Sequence, residues 1–245
     1  MNRADFYSYL RRRDVPLFGT SLSKKQVVAI DALLDAGEGL PLDHMAHVLA
    51  EIHHETGGGM YPVKETVFPH SKNQNPTDAE VIRRLDAAFA KGRLPWVKAP
   101  YWRDGWFGRG GIQVTHKNNY AKASAVSNVD LVSHPEKLLD PVVSAIVAVE
   151  GCRHGIFTGK RLSDFDGVQF DHYNARAIVN GDKKANGQKI AVNAGLFANA
   201  LYSAGWGEKR PAQAQVVPDA VSGGINSQSL WTRLFAPLLG ILRGK

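Results

Sequence analysis

The residues with the most chemical potential stand together in His53-His54-Glu55-Thr56-Gly57-Gly58. A carboxylic acid that ends a helix under a glycine turn can be partly desolvated, and desolvation favours its neutral form. Such a group can protonate a leaving oxygen, as glycosidic cleavage requires, with a second carboxylate across the bond. A helix-terminal glutamate is also a common solvated surface group, so Glu55 alone does not define a site. The histidines at 44, 47, 53 and 54 invite a metal, and His47 and Glu51 lie one helical turn apart. The order His-Glu-x-x-His is absent and spacing pins no third ligand, so no metal and no cofactor is expected. His47 and His54 read instead as hydrogen-bonded supports of a cleft. No Gly-x-Ser-x-Gly elbow is present for a serine hydrolase. Cys152, the sole cysteine, follows an apolar run and reads as a small buried hydrophobe.

These residues need elements to hold them. Ser23 with Gln26 forms a capping-box pattern that opens a helix to about Asp35, closed by Gly37 and Gly39. A second helix is expected over 43–55, with Met45, Val48, Leu49 and Ile52 on its buried face and Glu55 in its last turn. Residues 1–20 are short and mixed, and 60–76 read as a loop. Thr77 with Glu80 is a second capping-box pattern, starting a helix to about Lys91. The aromatic, glycine-rich stretch 96–115 predicts short strands and turns, ending in Ile112-Gln113-Val114-Thr115. Further helices are expected near 118–124, 141–152, 171–179 and 190–203. Trp102 and Trp106 could stack on a ligand, although a Trp in a mostly apolar stretch is more often core.

Three separated segments then read together: Ala46-His47 through His54-Glu55-Thr56-Gly57-Gly58; Gly108-Arg109-Gly110-Gly111-Ile112-Gln113-Val114-Thr115 with Asn119-Tyr120; and Ala175-Arg176-Ala177-Ile178-Val179-Asn180-Gly181. The linking segments 135–141 and 155–164 fit the same order. This set resembles glycoside hydrolase family 19 and its phage endolysin relatives in the lysozyme superfamily, over about residues 20–204. The resemblance implies a mainly α, lysozyme-like α+β fold, with a small β element beside the active-site cleft. It implies that Glu55 is the general acid and that Glu65, in the loop after the helix, is the second carboxylate. The extra Gly59 loosens the register of that loop, and Asp78 and Glu80 are alternatives whose helix-start positions already account for them. Thr115 matches a hydroxyl residue that orients the attacking water, or is a packed β-branched residue. Gln113, Tyr120 and Asn180 match sugar-contacting positions, although Tyr120 could be core and Asn180-Gly181 is also a helix stop. Arg176 matches an arginine near the acid or the sugar. Inversion of stereochemistry is implied by the resemblance alone.

The wider composition agrees with an enzyme of this kind. The 245 residues are 44% hydrophobic and 22% charged, ordinary for a globular chain. Thirty Lys+Arg against 23 Asp+Glu leave a net charge of +7, spread along the chain. That spread points to an anionic wall, or only to solubility, and not to nucleic acid. The domain plan expected is a catalytic domain over 1–206, a linker over 207–228 rich in Pro, Gly, Ala, Gln and Ser, and an apolar, amphipathic segment over 229–245. That last segment is too short to span a bilayer but suits contact with an anionic membrane, or packing on the domain. The N-terminal stretch Met1-Asn2-Arg3-Ala4-Asp5-Phe6 has no apolar run of signal-peptide length, so synthesis in a bacterial cytoplasm and action on the wall after release are expected. The expected function is cleavage of β-1,4 bonds in peptidoglycan glycan strands by a monomer. A chitinase, or an inactive glycan-binding module of the same fold, is the alternative.

Overall fold

The computed structural model describes residues 1–207; the expected linker and C-terminal segment lie outside the described residues, apart from Gly207. The protein is mainly α with one small two-stranded sheet. Its centre is α3 (Leu42–Glu55), in which every residue from His44 to Ile52 is buried. A helix enclosed all round needs partners on every side. Those partners are α8 (Lys183–Ser203), its main neighbour, and α6 (Pro141–His154), with α2 (Lys24–Ala36) packed on α6. The main core runs from Phe6 and Leu10 through Met45, Leu49 and Val147 to Phe197 and Trp206.

Local chemistry sets the helix ends. The capping box of α2 has both halves, Ser23 N–H to Gln26 Oε1 at 2.8 Å and Gln26 N–H to Ser23 Oγ at 3.3 Å. Gln26 Nε2 also donates to Gly58 O at 2.9 Å, tying α2 to the turn after α3. At that turn Gly57 and Gly58 take φ of 59° and 86°, the left-handed region that favours glycine. Thr56 Oγ1 donates to Ile52 O at 2.6 Å and accepts from Met60 N at 2.7 Å, folding the chain back from the helix. Asp140 caps α6, whose first residue is Pro141.

Several elements depart from the sequence expectation. Residues 1–20 contain α1 (Arg3–Leu10), capped by Asn2, with Phe6 and Leu10 buried one turn apart. The loop over 60–76 contains β1 (Val63–Lys64), which pairs antiparallel with β2 (Arg109–Gly110), Val63 opposite Gly110 and Lys64 opposite Arg109. Residues 112–115 are no strand: Val114 bridges back to Arg109 around a tight turn in which Gly110 and Gln113 have φ of 87° and 55°. The capping box of α4 (Asp78–Ala90) is half made. Thr77 accepts from Glu80 N, but the Glu80 carboxylate turns instead to Arg83 and Arg84. The helix α5 spans Lys117–Ser127. The helix expected over 171–179 divides into α7 (His172–Ala175) and a 3₁₀ turn at Arg176–Ile178. The helix α8 begins at Lys183, ahead of the expected start at Ile190; Asn186 and Gly187 are buried in its first turns, so an apolar count misses its inward face there.

A smaller core of Val81, Leu85, Ala88, Leu94, Trp102 and Phe107 holds α4 against the 3₁₀ turn at Tyr101–Asp104. The sheet links this part to the main helices, with a cleft beside it.

Candidate active site

The cleft holds a cavity of about 350 Å³ walled by His54, Glu55, Glu65, Trp96, Tyr101, Gly108, Gln113, Thr115, Arg176, Asn180 and Asp182. One wall is built from the end of α3. Glu55 sits in its last turn with its side chain 16% exposed, and its Oε1 lies 2.7 Å from Arg176 Nη1. Arg176, almost wholly buried, is placed by the 3₁₀ turn after α7. The same Nη1 donates to Glu51 Oε2, one helical turn before Glu55. On its other side Nε donates to Asp182 Oδ1 at 2.7 Å, and Asn186 Nδ2 steadies Asp182 at 2.6 Å. Three carboxylates therefore converge on one guanidinium. Burial pushes Glu51 up to about 8, against the opposing pull of Arg176, while the Glu55 charge raises it further. Burial, then the Arg176 charge, drives His54 down to about 3, so this wall residue is a neutral imidazole.

The opposite wall is built by the sheet. Glu65 follows β1, and its own N–H donates to Gly108 O at 2.6 Å. Its side chain is buried and doubly held: Tyr101 Oη donates to Oε1 at 2.8 Å and Gly108 N–H donates to Oε2 at 2.7 Å. Desolvation raises the Glu65 carboxyl, and the Gly108 and Tyr101 hydrogen bonds and nearby Arg109 hold part of that rise back. A carboxylate oxygen has more than one acceptor direction, so each still has capacity for a water. Gly108 is needed at this junction. A Cβ there would lie 2.7 Å from Gln113 Oε1 and 3.4 Å from Glu65 Oε2. Gln113 Nε2 donates to Val63 O at 3.0 Å and Gly110 O at 2.8 Å, which fixes the amide on the floor of the turn.

Of the site residues expected from sequence, Glu55, Glu65, Thr115, Gln113, Arg176 and Asn180 all line this one cavity. Tyr120 does not. It is fully buried, donates to Phe107 O at 2.8 Å and accepts from Arg109 Nη1 at 2.9 Å, so it supports β2 from the core and presents no surface to a sugar. Trp102 is also core, its Nε1 donating to Asp86 at 3.0 Å. The alternative carboxylates have other tasks. Asp78 binds Lys64 and buried Arg109, each at 2.7 Å, and Glu80 binds Arg83 and Arg84. His47 is buried behind Glu51, away from the cavity wall. Cys152 is a buried thiol, driven up by desolvation.

Sequence reasoning missed Glu51, Tyr101, Trp96 and Asp182 as members of the site. Glu51 carried a signal, standing one turn before Glu55 on the same helix. Trp96 is 52% exposed on the cavity wall, an uncommon place for so large an apolar surface. Nothing in the sequence marked Tyr101 apart from its aromatic neighbours.

The fold and cavity together define a mainly helical protein with a carboxylate on each wall of a cleft beside a short sheet. No family model matches the chain, and no curated protein does. Among solved structures it is similar to chitinase C from Streptomyces griseus HUT6037, at 22% identity over 82% of this chain and 91% of that one, with a TM-score of 0.46. It is also similar to a mutant of chitinase C (20% identity, 82% and 92% coverage, TM-score 0.45) and to a bacterial family 19 chitinase (20%, 82% and 94%, 0.44).

Proposed function

We propose that this protein is a glycosidase that hydrolyses β-1,4 bonds between amino sugars, with peptidoglycan glycan strands as its substrate. The observation that carries the proposal is the convergence on one cavity of two carboxyls from different elements, Glu55 at the end of α3 and Glu65 after β1. Glu55 is the general acid that protonates the leaving oxygen. Glu65, held by Tyr101 and Gly108, is the general base that takes a proton from the attacking water. Thr115 and Gln113 face the same space and orient that water and the sugar, while exposed Trp96 offers a flat face for a pyranose ring. The net charge of +7 favours an anionic wall polymer over neutral chitin.

The experiment is a paired assay of the purified protein on outer-membrane-stripped cells and on chitin oligomers. Loss of turbidity with release of new reducing ends, much faster than chitin cleavage, is the expected result. Chitin turnover alone would reassign the substrate. Binding to either polymer with no new reducing ends would leave an inactive glycan-binding module.

A further inference from the structure

The site contains two acids beyond Glu55 and Glu65: Asp182, held by Arg176 and Asn186, and Glu51. Glu51 is fully buried, and its Oε2 and Glu55 Oε1 both contact the single nitrogen Nη1 of Arg176. Its other oxygen, Oε1, faces Nε2 of buried His47 at 3.5 Å. Neither of those two atoms has a hydrogen-bond partner among the described residues. Burial drives His47 down to about 3, with His172 adding to the effect, so its imidazole is neutral and can present an acceptor nitrogen. One hydrogen between Oε1 and Nε2 satisfies both atoms: the other ring nitrogen of neutral His47 is engaged by the Ala175 backbone, so Nε2 is left as an acceptor and a protonated Glu51 supplies the hydrogen.

We propose that Glu51 and Glu55 hold a single shared proton across Arg176, and that Glu51 is the positioning residue that keeps this proton within reach of the catalytic acid. In the free protein the proton rests on Glu51 and the Glu55 carboxylate pairs with Arg176. When a sugar chain displaces water from the cleft, Glu55 loses solvation and the proton passes to it. Glu51 becomes the carboxylate and takes over Nη1, so the guanidinium keeps a partner in either state. Glu55 then gives the proton to the glycosidic oxygen, and the proton removed from the attacking water restores the balance. The inference rests on the proposed role of Glu55.

The groups facing Glu51 are few. On its own helix are His47 and Glu55, with His44 acting on His47 from one turn earlier. His172, the first residue of α7, stands against His47, and Arg176 comes from the 3₁₀ turn after α7. Asp182 stands before α8, and the Cys152 thiol of α6 is close enough to feel the Glu51 charge. Arg176 is the cation that balances the pair, and Asp182 already claims its far edge. Loss of the shared proton would leave three carboxylates on one guanidinium, and that repulsion makes the pair retain its proton as pH rises.

The test is the pH profile of turnover for wild type and Glu51→Gln. Glutamine preserves shape but cannot ionise, so Arg176 then acts on Glu55 without a competing charge. The alkaline limb should move down by about one pH unit or more, a tenfold or greater loss above that limb, with activity below it retained within a few-fold. A profile lowered equally at every pH, or one that superimposes on wild type, would overturn the proposal. A second measurement needs neither substrate nor the Glu51 variant. The infrared band of protonated carboxyl should titrate at lower pH in Glu55→Gln than in wild type, because the Glu55 charge that helps Glu51 keep its proton is gone. An identical band titration in the two proteins refutes sharing, even if the glycosidase assay succeeds. A shifted band in a protein that cleaves no glycan keeps the shared proton and rejects the function.

Discussion

At the scale of single residues, the two carboxyls are held in different ways, and their replacements should differ accordingly. Glu55→Gln removes the carboxyl that α3 contributes to the cavity wall, so turnover should fall by about 10²–10⁴-fold with thermal stability little changed. A folded Glu55→Gln protein with near wild-type turnover would end the general-acid assignment. Glu65 is raised by burial, and as the proposed general base it must act as the ion, so activity should be lost as pH falls through its raised value. The Tyr101 hydroxyl donates to the Glu65 carboxylate and favours the ionised form. Tyr101→Phe leaves only the Gly108 N–H on that side chain. The acid limb of the pH profile should therefore move to higher pH, by about one unit. Movement to lower pH, or a change in KM alone, would show that Tyr101 contacts the sugar and does not tune the base.

At the scale of elements, Arg176 depends on how closely α7 lies on α8. A Cβ on Gly187 would stand 2.7 Å from the Tyr173 carbonyl oxygen and 2.9 Å from its ring. Gly187→Ala gains about 1 kcal/mol in helix propensity, but overpacking against backbone costs about 1–3 kcal/mol. The carbonyl cannot swing aside as a side chain would, so the clash dominates. The variant should melt a few degrees lower and lose turnover, because Tyr173 lies three residues before Arg176 in the chain. An equal or higher melting temperature would mean that α7 shifts without strain and that the Arg176 cluster tolerates the move.

At the scale of the whole molecule, the described residues close on themselves. Asn2 N–H donates to Ala204 O at 2.7 Å, and the buried Trp206 Nε1 donates to Leu40 O at 3.0 Å. A chain ending at Gly207 should therefore keep its melting temperature and its turnover on purified peptidoglycan. The segment 229–245 carries Leu230, Trp231, Leu234, Phe235, Leu238, Ile241 and Leu242 at helical spacing, with Arg233, Arg243 and Lys245 among them. That pattern supports contact with anionic lipid. Binding to anionic vesicles should then disappear in the shortened chain. A marked drop in melting temperature would instead assign the segment to the core and remove the membrane role.

What the sequence determined by itself is what local rules govern. The capped start of α2, the extent of α3 and the glycine stop after Glu55 depend on residues within one or two turns of each other, so their pattern is written in consecutive positions. The ordered motifs also carried five residues, Glu55, Gln113, Thr115, Arg176 and Asn180, to a common cavity, and the loop position implied by the resemblance added Glu65. Tertiary structure decided the rest, because the deciding contacts cross long stretches of chain. Tyr101 reaches Glu65 across 36 positions, and Arg176 reaches Glu51 across 125. Tyr120 became core for the same reason: a tyrosine reads alike on a cleft wall or inside, and buried Arg109 and the Phe107 carbonyl, not its neighbours in sequence, took its hydroxyl. The sheet was hidden because two-residue strands have no alternation to show, and only pairing identifies them. The proton balance of the site is likewise beyond the sequence, since the desolvation of Glu51 and Glu65 comes from packing that no single segment contains.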